Sequence, residues 1–157
     1  VCPKPKIEAA FSPATAGRPA CTDLIVAFIA SARTSIRLQA YGFTSEPVAQ
    51  ALVQAKANKI DVQVILDQSN VEGQYSKLSL LLAGKVTTLI DAKHAIAHDK
   101  VIIVDGRHVE TGSFNYTAAA QKRNGENCVF VWDNAELATS YTNNWEAHKA
   151  HATLAKR

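Results

Sequence analysis

Residues 97–117 read AHDKVIIVDGRHVETGSFNYT, and how this stretch folds decides the rest of the chain. The run Val101–Val104 is apolar at every position, which suits a strand buried on both faces. Asp105-Gly106 follows, a strong short hairpin signal between two β-rich runs. With Asp105 and Gly106 as a two-residue loop, Val104 faces Arg107 and paired numbers add to a constant. That register sets His98 opposite Ser113 and Lys100 opposite Thr111. Cross-strand partners project on one face, and strand period two keeps residues 98 and 100 together. The expectation is that His98, Lys100, Ser113 and Asn115 gather at one end of a sheet. A one-residue slip would break that arrangement.

The chemistry of such a cluster is that of a phosphate cradle. The Lys100 ammonium is a compact positive charge, and Ser113 and Asn115 are neutral donors. Gly112 allows close approach to backbone. His98 supplies a nucleophile or general acid near neutral pH. Asp99 is expected on the opposite face, so the stretch offers no carboxylate for a hard cation. His94 and His98 stand four apart, but they flank a loop and a strand start, not a helix. No metal and no cofactor are therefore expected. His108 is expected opposite Ile103, away from the site, and His148 and His151 as solvated positions on the last helix. Ser113 is not in a G-x-S-x-G elbow, and no G-x-G-x-x-G or Walker pattern occurs.

Outward from the hairpin, helices and strands alternate. CTDLIVAFIASAR (21–33) has helical spacing, with Thr22 or Asp23 as N-cap. SIRLQAYGF (35–43) reads as a strand. Pro47 opens an amphipathic helix, and IDVQVIL (60–66) is a strand with Ile60, Val62, Val64 and Leu66 inward. Residues 67–75 read as a polar loop, 76–84 as a helix ending near Gly84, and 86–90 as a short strand. After the hairpin come a short helix over 117–123, a buried strand over 127–132 and a long C-terminal helix. An extra N-terminal strand around Ile7–Phe11 fits as well. The fold class expected is α/β, a mixed β-sheet flanked by helices on both faces in an α/β/α sandwich. Residues 1–157 read as a single domain, with 1–21 as an N-terminal arm. Trp132 and Trp145 are expected in the core. Tyr41 and Phe114 are the aromatics expected near the cluster, with Phe114 turned away from Ser113.

The 157 residues are 47% hydrophobic and 20% charged, with a formal net charge of +3. That size supports one core, and the mild positive charge permits a polyanionic partner without demanding one. No apolar run reaches the roughly 18 residues a membrane span needs. The chain begins at Val1 and holds no Met; a removed signal peptide, a lost initiator or a trimmed end all fit. Cys2 and Cys21 flank a Pro-rich segment, and Cys128 lies in the apolar run NCVFVW. The expected arrangement is a Cys2–Cys21 disulfide with Cys128 buried and free, in a periplasmic or secreted protein.

The spacing His98-x-Lys100-x4-Asp105-x6-Gly112-Ser113-x-Asn115 resembles the full HKD signature of the phospholipase D superfamily, with every fixed position satisfied. SIRLQAYGFTS, ALVQAKANKIDVQVILDQ and NGENCVFVW resemble the corresponding segments of small bacterial Nuc-type endonucleases. The resemblance implies a phospholipase D-like fold and a metal-independent phosphodiesterase working through a phosphohistidine. It implies that His98 attacks phosphorus and that Lys100, Ser113 and Asn115 hold the non-bridging oxygens. Glu126, in NGEN, resembles the acidic residue that orients the histidine. Asp105 and Gly112 read as structural parts of the motif.

Such a mechanism needs two histidines, one to attack and one to protonate the leaving oxygen and later activate water. Only one copy of the signature is present; His148-Lys149-Ala150-His151 is not a His-x-Lys. The expectation is a homodimer with a shared site. The expected substrate is DNA, with RNA left open, held through its backbone. Lys77, Lys93, Lys122 and Arg123 are candidates for a basic groove. Stable membrane association is not expected. The competing readings are a phospholipase D-type lipid phosphodiesterase and a non-catalytic DNA-binding HKD scaffold.

Overall fold

A computed structural model describes residues 6–156. The elements run β1 (Ile7–Ser12), α1 (Cys21–Ala30), β2 (Ser35–Ala40), α2 (Glu46–Ala57), β3 (Asp61–Asp67), α3 (Ser69–Glu72), α4 (Leu78–Ala83), β4 (Thr87–Asp91), β5 (Lys100–Val104), β6 (His108–Gly112), α5 (Ala118–Lys122), β7 (Glu126–Val131), α6 (Ala135–Lys149) and β8 (Thr153–Leu154). The eight strands form one mixed sheet in the order β1-β7-β6-β5-β2-β3-β4-β8. β2, β3 and β4 are parallel neighbours, joined by helical crossovers; every other pairing is antiparallel.

Strand alternation gives the sheet two apolar faces. Ile36, Leu38, Val62, Val64, Leu66, Ile102 and Val104 enter the larger core, with Ile25, Phe28, Ile29, Val48 and Leu52 from α1 and α2. The helical spacing of Val48, Leu52 and Ala55 explains why α2 buries one side. Ile65, Leu89, Val101, Ile103 and Val109 face the other way and pack under Ala138 and Trp145 of α6. Trp145 is fully buried, and its indole N–H donates to the Leu38 carbonyl at 3.0 Å. The α/β/α layering expected from the alternating pattern is the one observed. α3 and β8 went unrecognised because four and two residues are too short for a periodic signal. The N-cap of α1 is Ala20, with no side-chain bond to the helix; the Thr22 hydroxyl instead donates to Gln121 Oε1 at 2.7 Å.

Two expectations are corrected. The hairpin register is Val104↔His108, Ile103↔Val109 and Val101↔Thr111, one residue off the expected pairing. Asp105 and Gly106 do adopt the left-handed conformations of a tight turn, with φ 54° and 62°. The Arg107 N–H also closes that turn onto the Val104 carbonyl at 3.0 Å. Arg107 is nevertheless an extra residue outside the ladder. Its carbonyl accepts the Asn134 N–H at 2.9 Å, and its guanidinium meets Asp133 at 2.9 Å. The β7–α6 connection thus takes the backbone group that a two-residue hairpin would have used elsewhere. His108 accordingly pairs with Val104 rather than facing Ile103, and its Nδ1 accepts the Asp133 N–H at 2.9 Å.

The second correction is the disulfide. Cys21 is bonded to Cys128, tying the start of α1 to β7 across 107 residues, with Cα atoms 6.2 Å apart. Cys128 is therefore not free, and Cys21 is not available to Cys2, which lies outside the described residues. The cause is the position of β7. It lies between β1 and β6, which brings Cys128 under α1, where both cysteines are fully buried.

Candidate active site

The site lies where the chain reverses direction across the sheet. β2 pairs in parallel with β3 on one side and antiparallel with β5 on the other. The carboxyl ends of β2 and β3 therefore meet the start of β5, with Ala40 paired to Lys100. Clefts at such switch points are where open α/β sheets bind ligands.

His98, Lys100, Ser113 and Asn115 line one open cavity of about 410 Å³, with Asp99, Val101, Thr111, Gly112 and Tyr141. They are not the cross-strand partners expected, because of the register slip, yet they still converge. β6 ends at Gly112, and the N–H groups of both Ser113 and Phe114 donate to the Asn127 carbonyl, at 3.1 and 3.2 Å. This irregularity sends Phe114 into the core and leaves Ser113 exposed at the cavity. Gly112 is required there: a Cβ would sit 2.3 Å from the Asn127 carbonyl oxygen.

The His98 side chain is exposed, with its ring 4.8 Å from that of Tyr41. Lys100 is buried, donates to the His98 carbonyl and lies 5.8 Å over the Tyr41 ring. Burial draws the Lys100 ammonium below its ordinary range, while the charges of Asp99 and Glu126 oppose this. Asn115 lines the cavity, and its Oδ1 is buried with no hydrogen-bond partner among the described residues.

The Glu126 carboxylate accepts from the Ser113 hydroxyl at 2.5 Å and from the Asn124 amide at 3.0 Å. Among the described residues it makes no hydrogen bond to His98, the contact that the family resemblance implied. Glu126 opens β7 beside the end of β6, so its nearest site residue is Ser113. Asp105 lies at the far end of the hairpin. It accepts the N–H groups of Arg33, Thr34 and Ser35 at 2.8–3.1 Å, together with the Thr34 hydroxyl. Burial pushes its carboxyl up, but those donors hold it below the usual carboxylate range.

Supporting residues were missed in the polar segment after β3 and along β2. Buried Asp67 accepts the Ala97 N–H at 2.7 Å and the Ser69 N–H at 2.9 Å. The Asn70 amide donates to the Tyr41 carbonyl at 2.7 Å. Fully buried Gln39 donates to Asp99 at 3.1 Å, and the Tyr41 N–H donates to the Asp99 carbonyl. Together they fix both sides of His98. A carboxylate and an amide at the carboxyl end of a buried strand were the available signal. Of the groove candidates, Lys77 is paired with Glu46 at 3.3 Å. Lys77 and Arg123 line a separate cavity with Thr44 and Thr117. His148 and His151 are not simply solvated: both reach buried Asp91, at 2.7 and 3.1 Å.

Known proteins are similar to this chain in sequence and fold. The family model described as cardiolipin synthase, PLD-like domain, matches residues 25–149. A phospholipase D of Rickettsia bellii is 44% identical over 145 residues, covering 92% of this chain and 70% of that protein. A mitochondrial cardiolipin hydrolase of Xenopus laevis is 29% identical over 145 residues, covering 92% and 63%. The crystal structure of Nuc from Salmonella typhimurium, a phospholipase D family member, superposes with a TM-score of 0.90 at 35% identity, covering 98% of this chain and all of that one. NucT from Helicobacter pylori shares the fold, with a TM-score of 0.79 at 21% identity over 96% of this chain and all of that one. With His98, Lys100, Ser113 and Asn115 around one cleft, these matches lead to one conclusion: the chain belongs to the phospholipase D superfamily and is a phosphodiesterase of that family.

Proposed function

We propose that the protein is a metal-independent, sequence-nonspecific endonuclease that hydrolyses nucleic-acid phosphodiester bonds through a phosphohistidine, with its site completed by a second copy of the chain. The observation carrying this reading is an exposed His98 in an open polar cleft beside buried Lys100. An imidazole nitrogen of His98 attacks phosphorus in line and expels the leaving alkoxide. Lys100, Ser113 and Asn115 stabilise the non-bridging oxygens as charge builds on them. His98 of a second copy protonates the alkoxide, then takes a proton from the water that cleaves the phosphohistidine. A single imidazole cannot hold phosphorus and serve the opposite side, which is the reason for a two-fold dimer. Within one chain, Glu126 fixes Ser113.

A nucleic acid suits the cleft better than a lipid. The residues lining it are mostly polar, and of the exposed large hydrophobics described only Ile96 stands beside it, in the adjoining cavity. No helix among the described residues is long and apolar enough to cross a membrane. The phospholipase reading has its own support in the Rickettsia relatives named phospholipase D. The Cys21–Cys128 disulfide supports a periplasmic or secreted location.

The test is plasmid DNA and phosphatidylcholine vesicles, each incubated in EDTA with the protein and with His98→Ala. Cleaved plasmid and intact lipid, both dependent on His98, are expected. Lipid hydrolysis with intact plasmid favours the phospholipase; binding of DNA without cleavage favours a non-catalytic scaffold. A fully active monomer in light scattering overturns the shared site.

A further inference from the structure

We propose that Asp91, His94, His148 and His151 form a transition-metal site of the zinc class that fastens the loop carrying His98 to the C-terminal helix. Their ligand atoms, one from each residue, lie within 4.8 Å of one another. They come from three places: the last residue of β4, the loop before β5, and α6 with the turn after it. The HKD chemistry uses none of the four.

Three features point to a cation. Asp91 is fully buried at the end of β4, and among the described residues the basic side chains within ion-pair distance of it are two imidazoles. A buried carboxylate needs a compensating charge. The same carboxylate oxygen, Oδ2, lies 2.7 Å from His148 Nδ1 and 3.1 Å from His151 Nε2. The other, Oδ1, accepts the Lys93 N–H at 3.0 Å, which fixes the carboxylate's orientation. The His94 ring lies beside those of His148 and His151, tilted to the first and edge-on to the second, with centroids 5.0 and 5.3 Å away.

Three imidazoles and one carboxylate suit tetrahedral Zn²⁺, with metal–ligand bonds of about 2.0–2.2 Å. Such bonds place ligand atoms roughly 3.3 Å apart, so the widest pair has to close by about 1.5 Å. His94 is the exposed member and sits on a loop; it has the freedom to close, and its side is the entry path. His98 follows four residues later, and both His94 and His148 line the cavity that His98 borders. The metal is a clamp on that loop and takes no part in phosphoryl transfer.

The test uses tag-free protein stripped with chelator and then dialysed. Co²⁺ is titrated at pH 7.5 and followed by visible absorption, with zinc measured by competition. One equivalent of Co²⁺ giving the intense band of four-coordinate cobalt, displaced by Zn²⁺, is expected, along with a Zn²⁺-dependent rise in Tm. His94→Ala and His151→Gln should each weaken binding at least about 100-fold, while His98→Ala and His108→Ala keep it. Absence of the band, or its survival in both His94→Ala and His151→Gln, overturns the site. Circular dichroism of the unloaded variants separates lost folding from a lost ligand, and either variant suffices. The readout is metal binding, so its outcome is independent of whether the substrate is nucleic acid or lipid.

Discussion

Asp67 Oδ2 accepts the Ala97 N–H at 2.7 Å, one residue before His98. The other oxygen of the same carboxylate accepts the Ser69 N–H at 2.9 Å. A side chain at the end of β3 thereby sets the path of the loop that presents the histidine. Asp67→Asn keeps one acceptor and loses the other. Misplacement by about 1 Å can cost on the order of 100-fold in rate. The expected outcome on a chromogenic phosphodiester is a kcat lowered roughly 10–100-fold with KM changed far less. An unchanged kcat would remove Asp67 from the positioning of His98.

Asp105 collects three backbone N–H groups at the turn before β2. Asp105→Ala leaves those donors to water or unpaired, at a cost of about 1–2 kcal/mol. For a chain of this size that is a Tm loss of roughly 2–8 °C. The folded carboxyl titrates below its usual range, so its stabilisation is present above the unfolded pKa of about 3.9. It fades as pH falls through the lower folded value. Thermal melts of parent and variant should differ at pH 7 and converge in acid.

Glu110 is buried beside Tyr116, whose hydroxyl donates to it at 2.7 Å. Burial pushes the Glu110 carboxyl up to about 8, against the opposing effect of the Tyr116 bond. The folded state therefore retains a proton that the unfolded chain releases above about pH 4.5. Stability drains away as pH rises between those values, by at most about 1.4 kcal/mol per pH unit, and levels above pH 8. Glu110→Gln keeps an acceptor for Tyr116 and cannot ionise. Its stability relative to the parent should rise from pH 5 to pH 8, measured by urea unfolding. A constant difference across that range would mean that Glu110 does not titrate there.

The Cys21–Cys128 bond closes a long loop. Its reduction should cost about 2–5 kcal/mol, read as a lower urea midpoint in reducing buffer. Non-reducing peptide mapping should join the peptides holding residues 21 and 128. A fragment joining residues 2 and 21 would contradict the fold at α1 and β7.

The α/β class, nearly every long element and the cluster His98, Lys100, Ser113 and Asn115 are legible in the sequence, because each rests on local chemistry. Two-residue and 3.6-residue periods reveal faces, Asp105-Gly106 reveals a turn, and the motif's spacing is itself a property of the sequence. The register is only half legible. Asp105 and Gly106 specify a tight turn, but Arg107 leaves the ladder because Asn134, 27 residues further on, takes its carbonyl. The same limit hides the Cys128 partner, the tie from Asp67 to Ala97, and the meeting of Asp91 with His148 and His151. Each depends on which strand lies beside which, and no local pattern encodes that: hydrophobic burial sets strand order for the whole chain at once. By itself the sequence determined which polar groups are proposed to react and the strands that flank them. The tertiary structure alone decided what holds those groups in place, because the carboxylates and cysteines that do so lie up to 107 residues from their partners.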